Sequence, residues 1–232
     1  MRYAFMFLIS LIFAGCFSSP EPYDGVIYKP KNDRASKLMF ERVLKIPIDC
    51  SPASKNRGDV VIDGAKYSSA DALNHCLKRN LIDTSLTLKK VYIHRITDNR
   101  LDVNVLNYMS DEGLNSFYAP RFSLEELYYL FLQSELKSRG IIVLDEPSPA
   151  SIRLDFEVRT LIGSYHPSNR ILELGMGGKL SLNGSRVNRQ RDIVSTAKVT
   201  SCGVGCDMDF FTSLLIKQAA IKSADEVSQI GR

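Results

Sequence analysis

The sequence has few of the residues from which catalytic and metal centres are built. Its 232 residues include three histidines, His75, His94 and His166, each isolated from the other two. A zinc site needs clustered ligands, and hydrolases or nucleotide-dependent enzymes need motifs such as Gly-x-Ser-x-Gly or a phosphate loop, which are absent. We therefore expect no metal, no cofactor and no enzymatic activity.

Excess charge of one sign is also lacking. Lysine and arginine number 30 against 26 aspartate and glutamate, a net charge of +4. An excess so small and so evenly spread argues against a nucleic acid partner. The basic residues Arg186, Arg189 and Arg191 form a local cluster, which we interpret as the solvated flank of a hairpin.

The apolar run at residues 5–13 is too short to span a bilayer. It follows Arg2 and leads into Phe-Ala-Gly-Cys at positions 13–16. A basic start, a short apolar stretch and small residues before a cleavage point are typical of an export signal. The last four residues resemble a bacterial lipobox, with Phe13 where leucine is usual, so residues 1–15 are predicted to be a lipoprotein signal peptide.

This resemblance makes Cys16 the lipidation residue. It implies cleavage by signal peptidase II, a diacylglycerol thioether on the cysteine and an amide-linked acyl chain such as palmitate, and three chains hold a protein in a membrane far better than one. Phe17 replaces the aspartate of an inner-membrane retention signal. We expect anchoring in the outer membrane of a Gram-negative bacterium, facing the periplasm. An ordinary secretory signal is the alternative, and it also predicts export.

Four further cysteines, Cys50, Cys76, Cys202 and Cys206, are an even number in an oxidising compartment and predict two disulfide bonds. Cys202 and Cys206 enclose Gly-Val-Gly, a stretch flexible enough to close on itself. This favours pairing Cys202 with Cys206 and Cys50 with Cys76, while the other two connectivities stay open. A redox role for Cys202 and Cys206 is disfavoured because the two-residue spacing of redox motifs is absent.

Composition divides the mature chain into three parts. Residues 16–34 are rich in Ser, Pro and Lys and lack apolar periodicity, so we expect a flexible tether that could reach about 60 Å and hold the folded part clear of the membrane. Residues 35–85 are predicted to form an N-terminal lobe stapled by a disulfide, with a strand or short helix at 38–48 and a helix at 69–81. Residues 86–232 are predicted to form an α+β lipoprotein domain.

The domain at 86–232 shows the clearest patterns. A helix is predicted over residues 123–139, with Ser123 and Glu126 as a capping box and Gly140 as the stop signal. A second helix is predicted over 207–230, capped by Asp207 or Asp209, which is a simpler role for these acids than acid–base catalysis.

Between and before these helices, apolar residues recur with a period of two. Strands are predicted at residues 86–96, 101–108, 141–144, 152–158, 172–182 and 193–199. Such alternation indicates one buried and one wet face, as in an antiparallel sheet. The fold class is therefore α+β: a two-layer sandwich of an antiparallel sheet with two helices on one face. Gly175-Met176-Gly177-Gly178 lies inside this pattern and indicates a bulge or close backbone approach rather than a nucleotide loop.

Two segments of this domain resemble the YajG-like family of outer-membrane lipoproteins and, more distantly, the auxiliary lipoproteins of ABC-type lipid transport systems. They are residues 127–143 and 150–162, followed by the long alternating hairpin and a C-terminal helix ending in Ala224-Asp225-Glu226-Val227. The resemblance implies a bacterial outer-membrane lipoprotein. The cysteines and the region before residue 85 depart from that family.

The helix at 123–139 is apolar on two stripes, which predicts burial on two sides. The candidate partner face consists of Tyr128, Tyr129, Leu132 and Leu136. It could dock a protein partner or an acyl chain, or the lobe before residue 85 could cover it. We expect a non-catalytic accessory or structural component of a cell-envelope assembly that binds a protein partner. The alternative is a periplasmic lipid-binding or lipid-transport auxiliary protein, which needs a pocket between helix and sheet.

Overall fold

The computed structural model describes residues 27–44, 59–62, 65–68, 89–109, 115–200, 202 and 207–230. Outside these residues lie the predicted signal peptide, the helix predicted at 69–81 and four cysteines, Cys16, Cys50, Cys76 and Cys206. The elements, in chain order, are α1 (Arg34–Leu44), β1 (Asp59–Ile62), β2 (Ala65–Ser68), β3 (Lys90–Asp98), β4 (Leu106–Met109), β5 (Asn115–Tyr118), α2 (Leu124–Ser138), β6 (Ile142–Val143), β7 (Ile152–His166), β8 (Ile171–Gly184), β9 (Val187–Thr200) and α3 (Met208–Ser228).

The strands form one sheet in the order β1-β2-β9-β8-β7-β3-β6, with β4 pairing β7 and β5. The long hairpins β7–β8 and β8–β9 are antiparallel as predicted, and Gly184 pairs with Val187 across a two-residue connection. The expectation of a wholly antiparallel sheet is wrong, because β3 and β4 run parallel to β7. A parallel pair needs a crossover, and α2 supplies it between β3 and β7.

The described residues contain a helix beyond the predicted pair on the sheet face. α2 and α3 lie side by side over one face, and α1 packs on both of them. The Phe40 ring of α1 contacts Phe131 of α2, with centroids 5.2 Å apart. Arg42 of α1 pairs with Asp207 and lies over the Phe210 ring at the start of α3. The short helix that was one of two options for residues 38–48 is thus a structural part of the domain.

The core lies between the sheet and the α2–α3 layer. Along β7 to β9 the predicted alternation is confirmed, since Leu154, Phe156, Leu180, Leu182 and Ile193 are all buried. α3 is buried more completely than its one-sided apolar pattern predicts. Its apolar side is buried, and so are polar residues such as Thr212, Lys217 and Gln218.

The glycine-rich stretch of β8 allows a close approach, as predicted. A Cβ at Gly178 would lie 2.4 Å from Cζ of Phe156 and 2.8 Å from the Glu157 carbonyl oxygen. The register of β7 against β8 shifts between Val158 and Thr160, opposite this point. The missing side chain therefore lets the Phe156 ring approach the β8 backbone closely.

Residues 27–33, which the sequence assigned to the tether, lie against the domain. The Tyr28 backbone N–H donates to the Ile93 carbonyl of β3 at 2.9 Å, and the Tyr28 ring contacts Tyr129 with centroids 5.3 Å apart. We call residues 27–44 the N-terminal strap. In the described part of the chain, no helix has the length and apolar character needed to cross a membrane.

Candidate functional site

The candidate partner face is not a surface, which corrects that prediction. Tyr128, Leu132 and Leu136 are fully buried, and Tyr129 is partly buried beneath Tyr28. The N-terminal strap and α3 cover what sequence periodicity showed as a second apolar stripe. The intrachain alternative is confirmed in part: α1 belongs to the predicted lobe, whereas Tyr28 belongs to the predicted tether and α3 to the C-terminal domain.

Tyr128 fills the space between α2, α3 and the sheet at its own position. Its ring is stacked on Phe156 of β7, with centroids 4.0 Å apart and planes 11° apart. Its hydroxyl donates to Ser223 Oγ of α3 at 2.6 Å, and Ser223 Oγ donates to the Ala219 carbonyl. Burial raises the pKa of Tyr128 far above its ordinary value. Tyr128 is therefore a neutral structural residue that joins α2, α3 and the sheet.

The start of α2 meets the start of α1 in a junction that involves residues far apart in sequence. Ser123 caps α2 by accepting from the Glu126 N–H, as predicted. Glu126 does not complete the predicted capping box; its Oε2 accepts from the Asp33 N–H at 2.9 Å. The Asp33 carboxylate in turn accepts from the Ser36 N–H at 2.9 Å and the Ser123 N–H at 3.2 Å. One carboxylate thus serves the N-termini of two helices, where negative charge is favourable.

Asp33 is held in its ionised form. The hydrogen bond from the Ser36 hydroxyl lowers the pKa of Asp33 below its ordinary value, and burial opposes this only in part. Nearby, burial and then the charge of Glu125 raise the pKa of Tyr28. The junction is therefore built from one anionic cap and one neutral phenol.

The opposite end of α2 holds a buried ion-pair cluster. Arg139 donates to Asp225 Oδ1 of α3 through Nε at 3.1 Å and Nη2 at 2.9 Å, and to Glu135 Oε2 through Nη1 at 2.6 Å. The side chains of Arg139 and Asp225 are only 2% and 7% exposed. Gly140 follows with φ +71, the left-handed stop that was predicted. All three charged residues lie in the segments that resemble other lipoproteins, and their role here is structural: they link α2 to α3.

A second buried polar group, missed from sequence, lies on β3. His94 is buried, and its Nδ1 is 2.5 Å from Asp155 Oδ1 of β7. Arg153 Nε donates to the other carboxylate oxygen at 2.9 Å. The contact lies where the register of β3 against β7 shifts between Ile93 and Arg95. Alternating Arg and Asp on β7 gave a weak signal, but pairing with a strand about 60 residues earlier is not visible in sequence.

The remaining predicted residues behave as structural elements. Asp207 is the N-cap of α3 and accepts from the Phe210 N–H. Asp209 instead accepts from the Tyr118 hydroxyl. Arg189 and Arg191 flank the β8–β9 hairpin as interpreted, and both approach Glu226 of α3. Among the described residues, no group of three histidine, cysteine or acidic side chains could hold a metal ion.

Cys202 is buried and takes part in a disulfide bond. The Tyr165 hydroxyl donates to its carbonyl at 2.6 Å, and its own N–H donates to the Arg170 carbonyl. The other cysteines lie outside the described residues, so the pairings stay predictions and the stapled lobe has no support from the described structure.

Solved structures with a partial likeness exist at low similarity. An uncharacterized protein is 13% identical, with a TM-score of 0.39, over 63% of this chain and 94% of that chain. A Xanthomonas campestris protein from a domain family of unknown function is 11% identical, with a TM-score of 0.36, over 62% of this chain and 84% of that chain.

Sequence comparison is more informative. The family model described as outer membrane lipoprotein MapA matches residues 32–230, from just before α1 to the end of the described chain. The outer membrane lipoproteins MapA from two Campylobacter jejuni strains, of serotypes O:6 and O:2, are each 30% identical over 187 residues, which cover 78% of this chain and 83% of the relative. The expectation of a bacterial outer-membrane lipoprotein is confirmed, and this chain belongs to the MapA family of outer membrane lipoproteins.

Proposed function

We propose that this protein is a non-catalytic component of the cell envelope, anchored through acylated Cys16, facing the periplasm and acting by binding an envelope protein. The observation that carries the proposal is the closed space between helices and sheet. Tyr128 fills it by stacking on Phe156 while its hydroxyl bonds to Ser223. What the protein binds must therefore meet its outer surface.

The chemistry of the buried charges supports a non-catalytic role. Arg139 is enclosed by Asp225 and Glu135, and Glu126 is committed to the Asp33 backbone. A catalytic acid or base has to be within reach of a substrate proton. These groups instead face one another across helix junctions, where they hold the fold together.

The lipid-carrier alternative requires a chamber for an acyl chain between helix and sheet. Ligand pockets of that kind are concave and apolar and enclose most of the ligand. Here the equivalent positions are occupied by Tyr128, Phe131 and Phe156, all with at most 1% exposure. The binding of a protein at the surface is therefore the better supported function.

The test is expression of the full precursor in a Gram-negative host, with mass spectrometry of the N-terminal peptide. A photo-crosslinking residue is placed at Ile162 or Val194, which are 64% and 58% exposed on the sheet, and at exposed Lys137 on α2 as the matched control. Acylated Cys16, with a discrete crosslinked protein from Ile162 or Val194 and none from Lys137, supports the proposal.

Two outcomes would count against it. An unmodified N-terminus would remove the anchor, and Cys16→Ser provides the reference mass and fractionation for that result. A lipid extracted with the purified protein, together with no protein crosslink from either surface, would favour the lipid carrier instead.

A further inference from the structure

We propose that the N-terminal strap lays a basic ridge, formed by Lys29, Lys31, Arg34 and Lys37, against the anionic phospholipid surface in which the protein is anchored. This inference rests on the proposed anchoring at Cys16. It replaces the expectation that a long tether holds the domain clear of the membrane.

The first argument is the arrangement of charge. All four residues of the basic ridge are exposed. In the described part of the chain, Lys29, Arg34 and Lys37 form no ion pair, and Lys31 lies 3.8 Å from Glu125 with its own side chain 74% exposed. Lys37 donates to the neutral Asn32 amide. The positive charge of the ridge is therefore available to an outside partner.

The carboxylate of Asp33, which lies between the residues of the ridge, does not neutralise their charge at the surface. Asp33 points inward, where it accepts from Ser36 and Ser123 and caps two helices. The exposed stripe of α1 runs through Arg34, Lys37, Leu38 and Glu41, so the acid of this stripe lies one turn beyond Lys37, the last residue of the ridge.

An exposed leucine lies in the middle of the basic residues. Leu38 is 57% exposed, while the opposite side of α1, with Ser36, Phe40 and Val43, packs on the domain. A helix that lies in a membrane interface combines lysine and arginine with a leucine or aromatic residue that enters the headgroup region. α1 presents this combination outward and keeps its other side fixed to the protein.

The second argument is distance from the anchor. The strap contacts β3 from Tyr28 onward, and eleven peptide steps separate Cys16 from residue 27. The dimensions of the peptide chain limit the length of this segment to about 40 Å. The basic ridge begins directly after this segment, so the anchored domain holds these residues close to the bilayer surface.

The open face of the sheet offers no comparable surface. Two of its basic residues lie beside acids on the same face: Lys198 pairs with Glu173 at 2.9 Å, and Arg159 pairs with Glu157 at 3.4 Å. Mixed charge of this kind has little net attraction to an anionic surface. The contrast also supplies a matched control for the experiment.

The experiment uses the full mature chain with Cys16→Ser, which binds vesicles only through its own surface. Co-sedimentation compares this parent chain with two variants of it. The ridge variant carries Lys29→Gln, Lys31→Gln, Arg34→Gln and Lys37→Gln, and the control variant carries Arg159→Gln, Lys179→Gln, Arg186→Gln and Lys198→Gln. The vesicles contain phosphatidylcholine with or without phosphatidylglycerol, at low and high salt. Both variants lose the same charge, and their unfolding curves check that both are folded.

A basic residue near an anionic surface changes partitioning by about fivefold. We expect the ridge variant to bind anionic vesicles at least about tenfold more weakly than the parent, the control variant to stay within about twofold, and high salt to abolish binding. Adding Leu38→Ser to the parent should weaken binding without changing its salt dependence.

Three results would overturn the proposal. In the first, the parent chain binds vesicles with and without phosphatidylglycerol equally; in the second, the ridge and control variants lose the same amount of vesicle binding. In the third, the parent chain does not bind vesicles and the ridge variant loses a crosslink to an envelope protein, which would assign the ridge to an acidic protein. Because the chain carries no acyl group, these outcomes are independent of whether Cys16 is acylated, which mass spectrometry of the precursor decides.

Discussion

The two ends of α2 are joined to neighbouring helices by contacts of opposite character. At its start, the Asp33 carboxylate accepts from neutral donors on α1 and α2. At its end, the Arg139 guanidinium is enclosed by two carboxylates. At the first junction, which is partly exposed, each hydrogen bond contributes separately to stability. At the second junction the charges are buried, so removing one of them leaves the others without a partner in a site with little water.

The difference has a physical consequence for how each end fails. Losing one hydrogen bond to Asp33 at the start of α2 leaves backbone donors that water can reach. Losing Arg139 leaves Asp225, 7% exposed, and Glu135, 12% exposed, without a partner in a site with little water. We therefore expect local loosening at one end and a loss of global stability at the other.

The largest effect is predicted for Arg139→Met. Breaking a buried pair by removing one partner costs about 3–5 kcal/mol, and urea unfolding measures the loss. Arg139→Met combined with Asp225→Leu should recover part of it, because an apolar pair replaces the stranded carboxylate. Equal stability of the single and double variants would show that Asp225 does not depend on Arg139.

A smaller and more local effect is predicted for Asp33→Ala. Removing a helix cap costs about 1–2 kcal/mol, and here the strap and the start of α2 share the cap. Hydrogen exchange should quicken in residues 34–44 while β7 to β9 keep their protection. Asp33→Asn, which retains a capping oxygen, is the control; uniform quickening across the sheet would mean that the junction is part of the global core.

A still smaller change is predicted in the middle of α2, between the two ends. Tyr128→Phe removes the bond to Ser223 but keeps the ring on Phe156, so we expect a loss of about 1 kcal/mol in urea unfolding. Ser223 retains its bond to the Ala219 carbonyl. A loss as large as that of Arg139→Met would show that this hydroxyl bond, rather than ring packing, fixes α2 on the sheet.

The smallest effect is a pH dependence of stability, which is predicted for the Asp33 junction at the start of α2. Because the pKa of Asp33 is lowered in the folded protein, its stabilising contribution is present above its unfolded pKa of about 4 and is lost as pH falls through the folded value. The destabilisation by Asp33→Ala should therefore shrink in acid. A penalty that stays constant from neutral to acidic pH would show that the charge of Asp33 is unimportant to its capping.

Sequence reasoning succeeded where the signal is local. Ser123, Gly140 and the alternation along β7 to β9 depend on neighbours within a few residues, and all were predicted. Glu126 shows the limit: its spacing from Ser123 predicts a capping box, but Asp33, 93 positions away, donates to it instead. A contact over that separation leaves no periodic trace in the sequence.

The candidate partner face failed for a related reason. An apolar stripe on a helix shows that something covers it, and it does not show whether the cover comes from the same chain. The cover is α1 and Tyr28, in a segment whose lysines and prolines are typical of a tether. Likewise, α3 has buried polar residues such as Lys217 because helices and sheet surround it, which a one-sided pattern cannot indicate.

The contact between Arg42 and Asp207 joins residues 165 positions apart. α1 precedes α3 in the chain, so its contact with the start of α3 cannot form until both segments are present. Such non-local closure slows folding, because a long loop must be ordered before its contacts form. α3 thus completes the described domain, and a chain truncated before α3 should remain unfolded and vulnerable to proteases.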